Sequence, residues 1–402
     1  MVMTPRPVCA SGERRTLDDL LGVVAQHAGA WRDRALATER ARQPLPETTA
    51  ELFATGLMRM FVPARFGGAA LDWDAPVALG RAIGRVCPST AWMVGVVGAH
   101  AAWVGRYPGA AQEEVWGDGA DQLLCGAMVA KGGRIRRDGE GYRVSGAFGF
   151  ASGIDHAKWG FVMGSVEGST EQVSCLMPRT DWDIADTWFV SGMSGTGTKD
   201  IVVHDAYVPP HRAVRSADLL KADPPGATIN REPIYRAEYG PYVGSSLLGP
   251  ILGAAEGAMD AYLAITRERK GMMFGDRVAE SANVQSRLAE STGDVRAAAL
   301  MTEDQMRTLV ACSRGDARLS EGERLMFARD RAYVARRCSE AVERLVKHMG
   351  ASGLYDDNPV QRFHRDLQAM AQQIGVNWDR NMLPFARWLI GGASQDHSNW
   401  RR

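Results

Sequence analysis

The chain has 402 residues, of which 45% are hydrophobic and 23% charged, and its 47 basic residues balance 47 acidic residues. This composition supplies the apolar material for a large folded core and excludes an intrinsically disordered chain. The balanced charge and the lack of a dense Lys/Arg block predict no nucleic-acid partner and no anionic membrane surface.

The first segment, residues 1–21, is polar and charged, so it predicts no signal peptide. The apolar run over residues 91–104 is shorter than the roughly 20 residues that a membrane-spanning helix needs, and it predicts a buried helix instead. The sequence therefore predicts a cytoplasmic protein without a membrane anchor.

Apolar residues recur at helical spacing from residue 15 to about residue 120, beginning with Leu17, Leu20, Leu21 and Val24. Breaks are expected at residues 44–46, 66–68 and 87–90. Ser89 or Thr90 could cap the helix that follows the last break, because a side-chain oxygen can accept from free N–H groups. We expect an N-terminal helical domain over residues 1–120.

The pattern changes near Asp121. Residues 138–141 have turn chemistry, and apolar residues then alternate with small or polar ones, namely Tyr142, Val144, Phe148 and Phe150. Short apolar runs follow until the two prolines at 209 and 210, which cannot continue a hydrogen-bonded ladder. These features predict an antiparallel β domain over residues 121–215.

Helical patterns return after the proline-rich linker at residues 223–225 and continue almost to the end. Two begin near Met259 and Val284, and residues 327–349 and 363–383 predict two more helices. We expect a C-terminal four-helix bundle domain over residues 216–402. The order of helices, sheet and helices, without βαβ alternation, predicts an α+β fold.

Several familiar motifs are missing from the sequence: a Walker P-loop, a G-x-G-x-x-G after a strand, H-E-x-x-H, C-x-x-C and G-x-S-x-G. The glycine-rich segment 192–198 lies within the predicted sheet and opens no helix. The eight histidines are dispersed and predict no metal site. The six cysteines are also far apart and predict reduced thiols: Cys9, Cys87, Cys125, Cys175, Cys312 and Cys338.

Five segments carry a family resemblance that spans residues 15–390. FVPARFGGAALD (61–72) and the stretch 186–212, which ends in GMSGTGTKDIVVHDAYVPPHR, resemble the acyl-CoA dehydrogenase superfamily. CPSTAW (87–92), GAFGFASGIDHAKW (146–159) and NPVQRFHRDLQAMAQQIGVNWD (358–379) resemble its branch of flavin-dependent monooxygenases. The resemblance implies the acyl-CoA dehydrogenase-like fold, in the three-part order predicted above, and a homotetramer.

The resemblance also implies an activity, that of the oxygenase component of a two-component monooxygenase. A separate flavin reductase would supply reduced FMN, with FAD left open. Dioxygen would form a C(4a)-hydroperoxide that hydroxylates an aromatic or polyketide-like molecule of secondary metabolism. N-hydroxylation of an amine or amino sugar is the alternative.

Two further alternatives are weaker. Acyl-CoA dehydrogenation needs a carboxylate base beside the flavin, but residues 372–392 contain only Asp379 as an acid and residues 244–255 contain none. A scaffold that has lost its cofactor is disfavoured because Ser152 and Arg269 are retained.

By position, the resemblance assigns flavin contacts to Trp92, Ala127, Met128, Val129, Phe150, Ala151, Ser152, Arg269, Ala351 and Ser352. The Ser152 hydroxyl would lie near flavin N5, where it can donate or accept a hydrogen bond. Arg269 would bind the flavin phosphate through its guanidinium fork. Ala351 and Ser352 belong to a bend that could serve the site of a neighbouring subunit.

Three residues are predicted to take part in catalysis: Ser152, His100 and Gln373. His100 would face the substrate and act as base toward a phenol, with a buried structural histidine as the alternative. Gln373 stands where many relatives carry a histidine that helps to form or stabilise the hydroperoxide. Glutamine can donate a hydrogen bond there but cannot carry charge or deliver a proton at pH 7.

Overall fold

The computed structural model describes residues 14–270, 275, 277–315 and 317–393. Cys9 and the first part of the N-terminal segment therefore lie outside the described residues. The N-terminal helices are α1 (Leu17–Ala41), α2 (Pro46–Ala54), α3 (Asp74–Gly84), α4 (Pro88–Trp92), α5 (His100–Val104) and α6 (Gly109–Trp116). This series of helices confirms the prediction that the N-terminal region is helical from Leu17 onward.

The predicted cap of α4 is wrong. Cys87 precedes the helix, and neither Ser89 nor Thr90 makes a side-chain cap hydrogen bond. Pro88 occupies the first helical turn, where its fixed φ already suits a helix and its missing N–H needs no partner. The Thr90 hydroxyl instead contacts Cys87 Sγ at 3.2 Å.

The apolar run over residues 91–104 is mostly buried, as predicted, but it is not one regular helix. A π-helical turn, Met93–Val97, separates α4 from α5. Such turns are often found at functional sites because they change the direction in which the following residues point. Here the turn lies between Trp92 and His100, two of the predicted site residues.

The central region consists of two sheets. Their strands are β1 (Leu124–Ala127), β2 (Val129–Ala130), β3 (Arg134–Asp138), β4 (Gly141–Ala151), β5 (Trp159–Ser165), β6 (Gln172–Pro178), β7 (Trp182–Ala185), β8 (Lys199–Val208) and β9 (Ala213–Arg215). One sheet has the order β1-β5-β6-β9, and the other has β2-β4-β8-β7 with β3 also on β4. All pairs are antiparallel except β1 with β5. Met128 stands where the chain crosses from one sheet to the other.

The C-terminal helices are α7 (Ser216–Leu220), α8 (Pro233–Arg236), α9 (Tyr239–Ser245), α10 (Leu248–Glu268), α11 (Ala282–Arg314), α12 (Glu321–Met349), α13 (Pro359–Met370) and α14 (Trp378–Leu389). The single helix predicted over residues 363–383 is wrong, because residues 371–377 connect two helices. The Asn377 side chain accepts from Arg380 N and starts α14 as a separate helix. The domain limits at residues 120 and 215 stay a prediction.

Two hydrophobic cores underlie this arrangement. One joins the N-terminal helices to both sheets, and the other fills the C-terminal helices. The helices α3 and α10 approach closely because they carry glycines at the contact: a Cβ on Gly84 would lie 2.9 Å from Pro250 O. Trp92 packs against both cores. The predicted site therefore lies where the sheets meet the C-terminal helices.

Candidate active site

Three hydroxyl groups and one indole form a continuous chain of hydrogen bonds. Trp92 Nε1 donates to Ser152 Oγ at 3.2 Å. Ser152 Oγ lies 2.7 Å from Thr198 Oγ1, and Thr198 Oγ1 lies 2.7 Å from Thr196 Oγ1. Thr196 Oγ1 donates to Met193 O at 2.8 Å. The pairing of Ala151 with Lys199 between β4 and β8 brings Ser152 and Thr198 together.

The direction of this chain is fixed at both ends. An indole N–H can only donate and a carbonyl can only accept. Because the single Thr196 hydrogen is directed to Met193 O, Thr198 must donate to Thr196. Ser152 must then donate to Thr198. The Ser152 oxygen is left able to accept a further hydrogen bond, while its own hydrogen is already used.

Three apolar side chains at the adjoining ends of β2 and β4 are exposed. Met128, Val129 and Phe150 are 39%, 48% and 51% exposed. Phe150 has φ +70°, in the left-handed region that is unfavourable for a side chain of this size. Its backbone N–H contacts Asp200 Oδ1 at 3.4 Å, and Asp200 in turn holds Lys131 at 2.9 Å. The Phe150 ring itself contacts Lys131, whose Nζ lies 4.5 Å from the ring centroid.

A cleft with about 900 Å³ of space not filled by atoms, solvent at its mouth included, opens between the sheets and the C-terminal helices. Three predicted residues line it: His100, Met128 and Gln373. The remaining lining is mostly apolar and comes from α5, β5, α7, α9 and the connection before α14, while Arg331 of α12 and Arg380 and Asn381 of α14 add charged and polar groups. Among the residues that the structure describes, no Asp or Glu lines this cavity. A carboxylate base, as acyl-CoA dehydrogenation requires, is therefore missing from its described wall.

His100 is held as a neutral ring. Its Nδ1 lies 2.8 Å from Leu124 O, which can only accept, so Nδ1 carries the hydrogen and Nε2 carries the free lone pair. Phe161 packs edge-on at 5.1 Å between ring centroids. Burial lowers the pKa of His100 to about 4. The ring is thus neutral at pH 7 and able to accept a proton through Nε2.

Gln373 lies in the connection between α13 and α14. Its Oε1 accepts from the backbone N–H of Gly375 at 2.5 Å, which stabilises the turn. Because the oxygen is used in this way, the carboxamide NH₂ is the group that can donate a hydrogen bond into the cavity. Within the described ranges this NH₂ has no hydrogen-bond partner.

Arg269, Ala351 and Ser352 lie apart from the cavity of the same chain. Leu247, just before α10, lines the cavity, whereas Arg269 follows the other end of this 21-residue helix, about 30 Å away. Ser352 donates to Met349 O at 2.8 Å in the turn that follows α12, and Ala351 is exposed. The structure thus brings His100, Met128 and Gln373 to one cavity and Trp92 to Ser152, and it pairs Val129 with the β4 residue that precedes Phe150.

The sequence reasoning missed several residues of the site. Thr196, Thr198 and Asp200 were visible as alternating polar residues that enter a strand but were given no role. Arg331 carries a clearer signal in the sequence, because it stands in the buried stripe of α12 between Ala328 and Ala335. The same stripe holds Asp330, and charged side chains are rarely buried this fully.

Comparison with known proteins agrees with this architecture. The acyl-CoA dehydrogenase N-terminal domain matches residues 21–118, and the acyl-CoA dehydrogenase C-terminal domain matches residues 246–378. A pigment production hydroxylase of Rhodococcus sp. is 32% identical over 381 residues, covering 93% of this chain and 97% of the relative. The oxygenase component of an FADH(2)-dependent resorcinol hydroxylase of Rhizobium sp. is 32% identical over 385 residues, covering 92% and 94%.

Solved structures give the same result. The 3-HSA hydroxylase from Rhodococcus sp. RHA1 superposes with a TM-score of 0.88 at 28% identity, covering 95% of this chain and all of that one. The HsaA monooxygenase from M. tuberculosis superposes with a TM-score of 0.89, also at 28% identity, covering 96% of this chain. The chain belongs to the acyl-CoA dehydrogenase superfamily, within its branch of flavin-dependent monooxygenase oxygenase components.

Proposed function

We propose that this oxygenase component hydroxylates a phenol-type aromatic molecule in the His100 cavity, using reduced flavin that Ser152 helps to position. The observation that supports this most directly is the fixed direction of the hydroxyl chain from Trp92 to Met193. FMN is the proposed flavin and FAD the alternative. Secondary metabolism is the proposed context.

The residues present fit a flavin ring. The isoalloxazine is a flat, largely apolar ring system with polar edges. The exposed side chains of Met128, Val129 and Phe150 offer apolar surface, and Ser152, two residues after Phe150, offers a polar group. Burial of such side chains against a ligand contributes roughly 25 cal/mol per Å² of apolar surface.

The Ser152 oxygen suits the reduced form of the flavin. Reduced flavin carries a hydrogen on N5 and donates there, whereas oxidised flavin only accepts at N5. Since Ser152 already donates to Thr198, its oxygen can accept from N5–H but has no second hydrogen for an unprotonated N5. The hydroxyl chain therefore favours reduced flavin over oxidised flavin.

Reduced flavin, when bound, reacts with dioxygen and supplies the oxygen atom that is transferred. The residues of the chain bind, orient and deprotonate. His100 Nε2 accepts the phenol proton, which makes the ring carbon next to the phenol oxygen more nucleophilic. Gln373 can donate a hydrogen bond from its NH₂ but not a proton. The apolar lining excludes water from the reaction.

Partners and assembly are also part of the proposal. A separate reductase delivers the flavin, in line with the missing dinucleotide-binding fingerprint. No helix among the described residues is long and apolar enough to cross a membrane; we propose a cytoplasmic location. Exposed apolar side chains on the last helix and after α12 support a homotetramer: Leu354, Tyr355, Leu383, Leu389 and Ile390.

The test supplies chemically reduced FMN anaerobically and then adds ¹⁸O₂ with a panel of phenols and naphthols. We expect a hydroxylated product that carries one labelled oxygen atom and forms only with the protein. A parallel panel of aromatic amines and amino sugars tests N-hydroxylation. Labelled product from the amines alone, or no labelled product at all, would contradict the proposal.

A further inference from the structure

Two arginines line the cavity, Arg331 and Arg380, and they give it an uneven charge. His100 is neutral and no carboxylate is present among the described lining residues. The cavity wall therefore has an excess of positive charge. Two guanidinium groups on one cavity wall favour a ligand that brings a negatively charged oxygen to them.

Arg331 is 3% exposed and comes from α12. Its Nε contacts Gly375 O at 3.3 Å, and Nη1 contacts Pro241 O at 3.4 Å. Both acceptors are backbone carbonyls, and the buried Asp330 is the neighbour of Arg331 on α12. Gly244 makes room for this guanidinium, since a Cβ there would lie 2.9 Å from Arg331 Nε. The position is thus shaped to hold an arginine side chain at the cavity wall.

Arg380 lies in the first turn of α14. Its guanidinium has no hydrogen-bond or ion-pair partner within residues 14–270, 275, 277–315 and 317–393. Asn381 anchors this turn by donating to Ile374 O at 3.1 Å, next to the Gly375 carbonyl that Arg331 contacts. The two arginines therefore flank the same short connection.

We propose that Arg331 and Arg380 bind an anionic oxygen group of the aromatic substrate, either a carboxylate or an ionised phenol oxygen. A guanidinium fork binds such oxygens with two parallel, charge-assisted hydrogen bonds. The substrate would present its reacting phenol to His100, from the N-terminal helices, and its anionic group to the C-terminal helices. The proposed function is the basis for treating this cavity as the substrate site.

The binding test uses matched ligands and the protein loaded with FMN. 6-Hydroxy-2-naphthoate and its carboxamide have nearly the same shape but differ in charge. We expect wild-type protein to bind the acid about 10- to 100-fold more tightly, the usual range for hydrogen bonds to a charged group. Equal affinity for the two ligands, measured by calorimetry, would contradict carboxylate binding.

An ionised phenol is tested with 7-hydroxycoumarin, whose ionised form has its own absorption band. If the arginines stabilise a phenolate, bound ligand will show this band at a lower pH than free ligand. A carboxylate preference without this shift identifies the carboxylate as the anionic group, and the shift alone identifies the phenolate. If wild-type protein shows neither the carboxylate preference nor the shift of the phenolate band, the proposal is overturned.

Variants assign the effect to the arginines. Arg380→Gln and Arg331→Gln should each reduce the acid preference at least several-fold and leave carboxamide binding unchanged. Arg380→Lys should keep part of it. Arg387→Gln removes the same charge from α14 outside the cavity lining and serves as the control. Full preference in Arg380→Gln, or equal loss in Arg387→Gln, would exclude this role even if Arg331→Gln fails to fold.

This result is independent of the hydroxylation test. Charge discrimination without any labelled product would contradict the proposed function while supporting the anion site. Labelled product from neutral phenols, without charge discrimination, would contradict only the anion site.

Discussion

The backbone N–H of Met193 donates to Oδ1 of Asp366 at 2.6 Å. This bond fastens the segment that precedes the two threonines to α13. Met193 itself has φ +57°, and its carbonyl accepts from Thr196. One peptide segment thus joins a C-terminal helix to the end of the hydroxyl chain that reaches Ser152.

Replacement of Asp366 should show what this bond contributes. Asp366→Asn keeps an acceptor oxygen and should cost little stability, whereas Asp366→Ala leaves the Met193 N–H buried without a partner. We expect Ala to lower the free energy of unfolding by about 1–3 kcal/mol more than Asn. Denaturant unfolding at pH 6 measures the difference. Equal losses in both variants would show that the hydrogen bond from the Met193 N–H does not account for the change in the free energy of unfolding.

The same residue predicts a pH effect. Burial raises the pKa of Asp366 to about 7, above its ordinary value of 3.8. The folded state therefore binds more protons than the unfolded state between these values, and this contribution to stability is lost as the pH rises toward 7. Asp366→Asn should remove this part of the pH dependence. If the stability of Asp366→Asn depends on pH in the same way as that of the wild type from pH 4 to pH 8, the raised pKa is contradicted.

The direction of the hydroxyl chain is tested through flavin binding. Thr198→Val removes the group to which Ser152 donates, so the Ser152 hydrogen becomes free to point toward the flavin. The preference for reduced over oxidised FMN should fall by about 2- to 10-fold, the equivalent of one neutral hydrogen bond. Thr198→Ser keeps the chain and is the control. Anaerobic titrations that show the same ratio for Val and Ser would exclude the proposed direction.

Ser152→Ala should have the same effect on this ratio, because it removes the acceptor itself. The apolar side chains of Met128, Val129 and Phe150 are unchanged, so total flavin affinity should change less than the ratio. A large loss of both forms in equal measure, in titrations on folded protein, would show that Ser152 does not discriminate between them.

His100 is tested through the pH dependence of hydroxylation. With a pKa of about 4, its ring stays neutral from pH 5.5 to pH 8, so it should impose no change in rate over this range. A midpoint near pH 6.5 that disappears in His100→Gln would contradict this. His100→Gln should itself slow phenol hydroxylation by about 10²- to 10⁴-fold, the usual contribution of a general base, without weakening flavin binding.

His100 also predicts an effect on stability that is opposite in sign to that of Asp366. Its folded pKa of about 4 lies below the ordinary 6.5, so the unfolded chain binds the extra proton as the pH falls through this window. Stability should therefore decrease toward acid, by up to about 3 kcal/mol. His100→Gln should flatten this slope. A slope that persists in the variant would assign it to other groups.

Much of the architecture follows from local sequence. The alternation from Tyr142 to Phe150 predicts β4, and the spacing from Leu17 to Val24 predicts α1, because each pattern depends only on which face neighbouring side chains occupy. The flavin contacts around Ser152 were predicted only through the family resemblance, and the roles assigned to them stay predictions.

Other features depend on residues that are distant in sequence. The Trp92–Ser152 and Ser152–Thr198 bonds join residues 60 and 46 positions apart, so they exist only because β4 and β8 pair in one register and α4 packs beside them. The break at residues 371–377 places Gln373 and Arg380 at one cavity with Arg331. Helical periodicity shows which face of a helix is buried but not what that face meets, and that depends on how the distant helices pack.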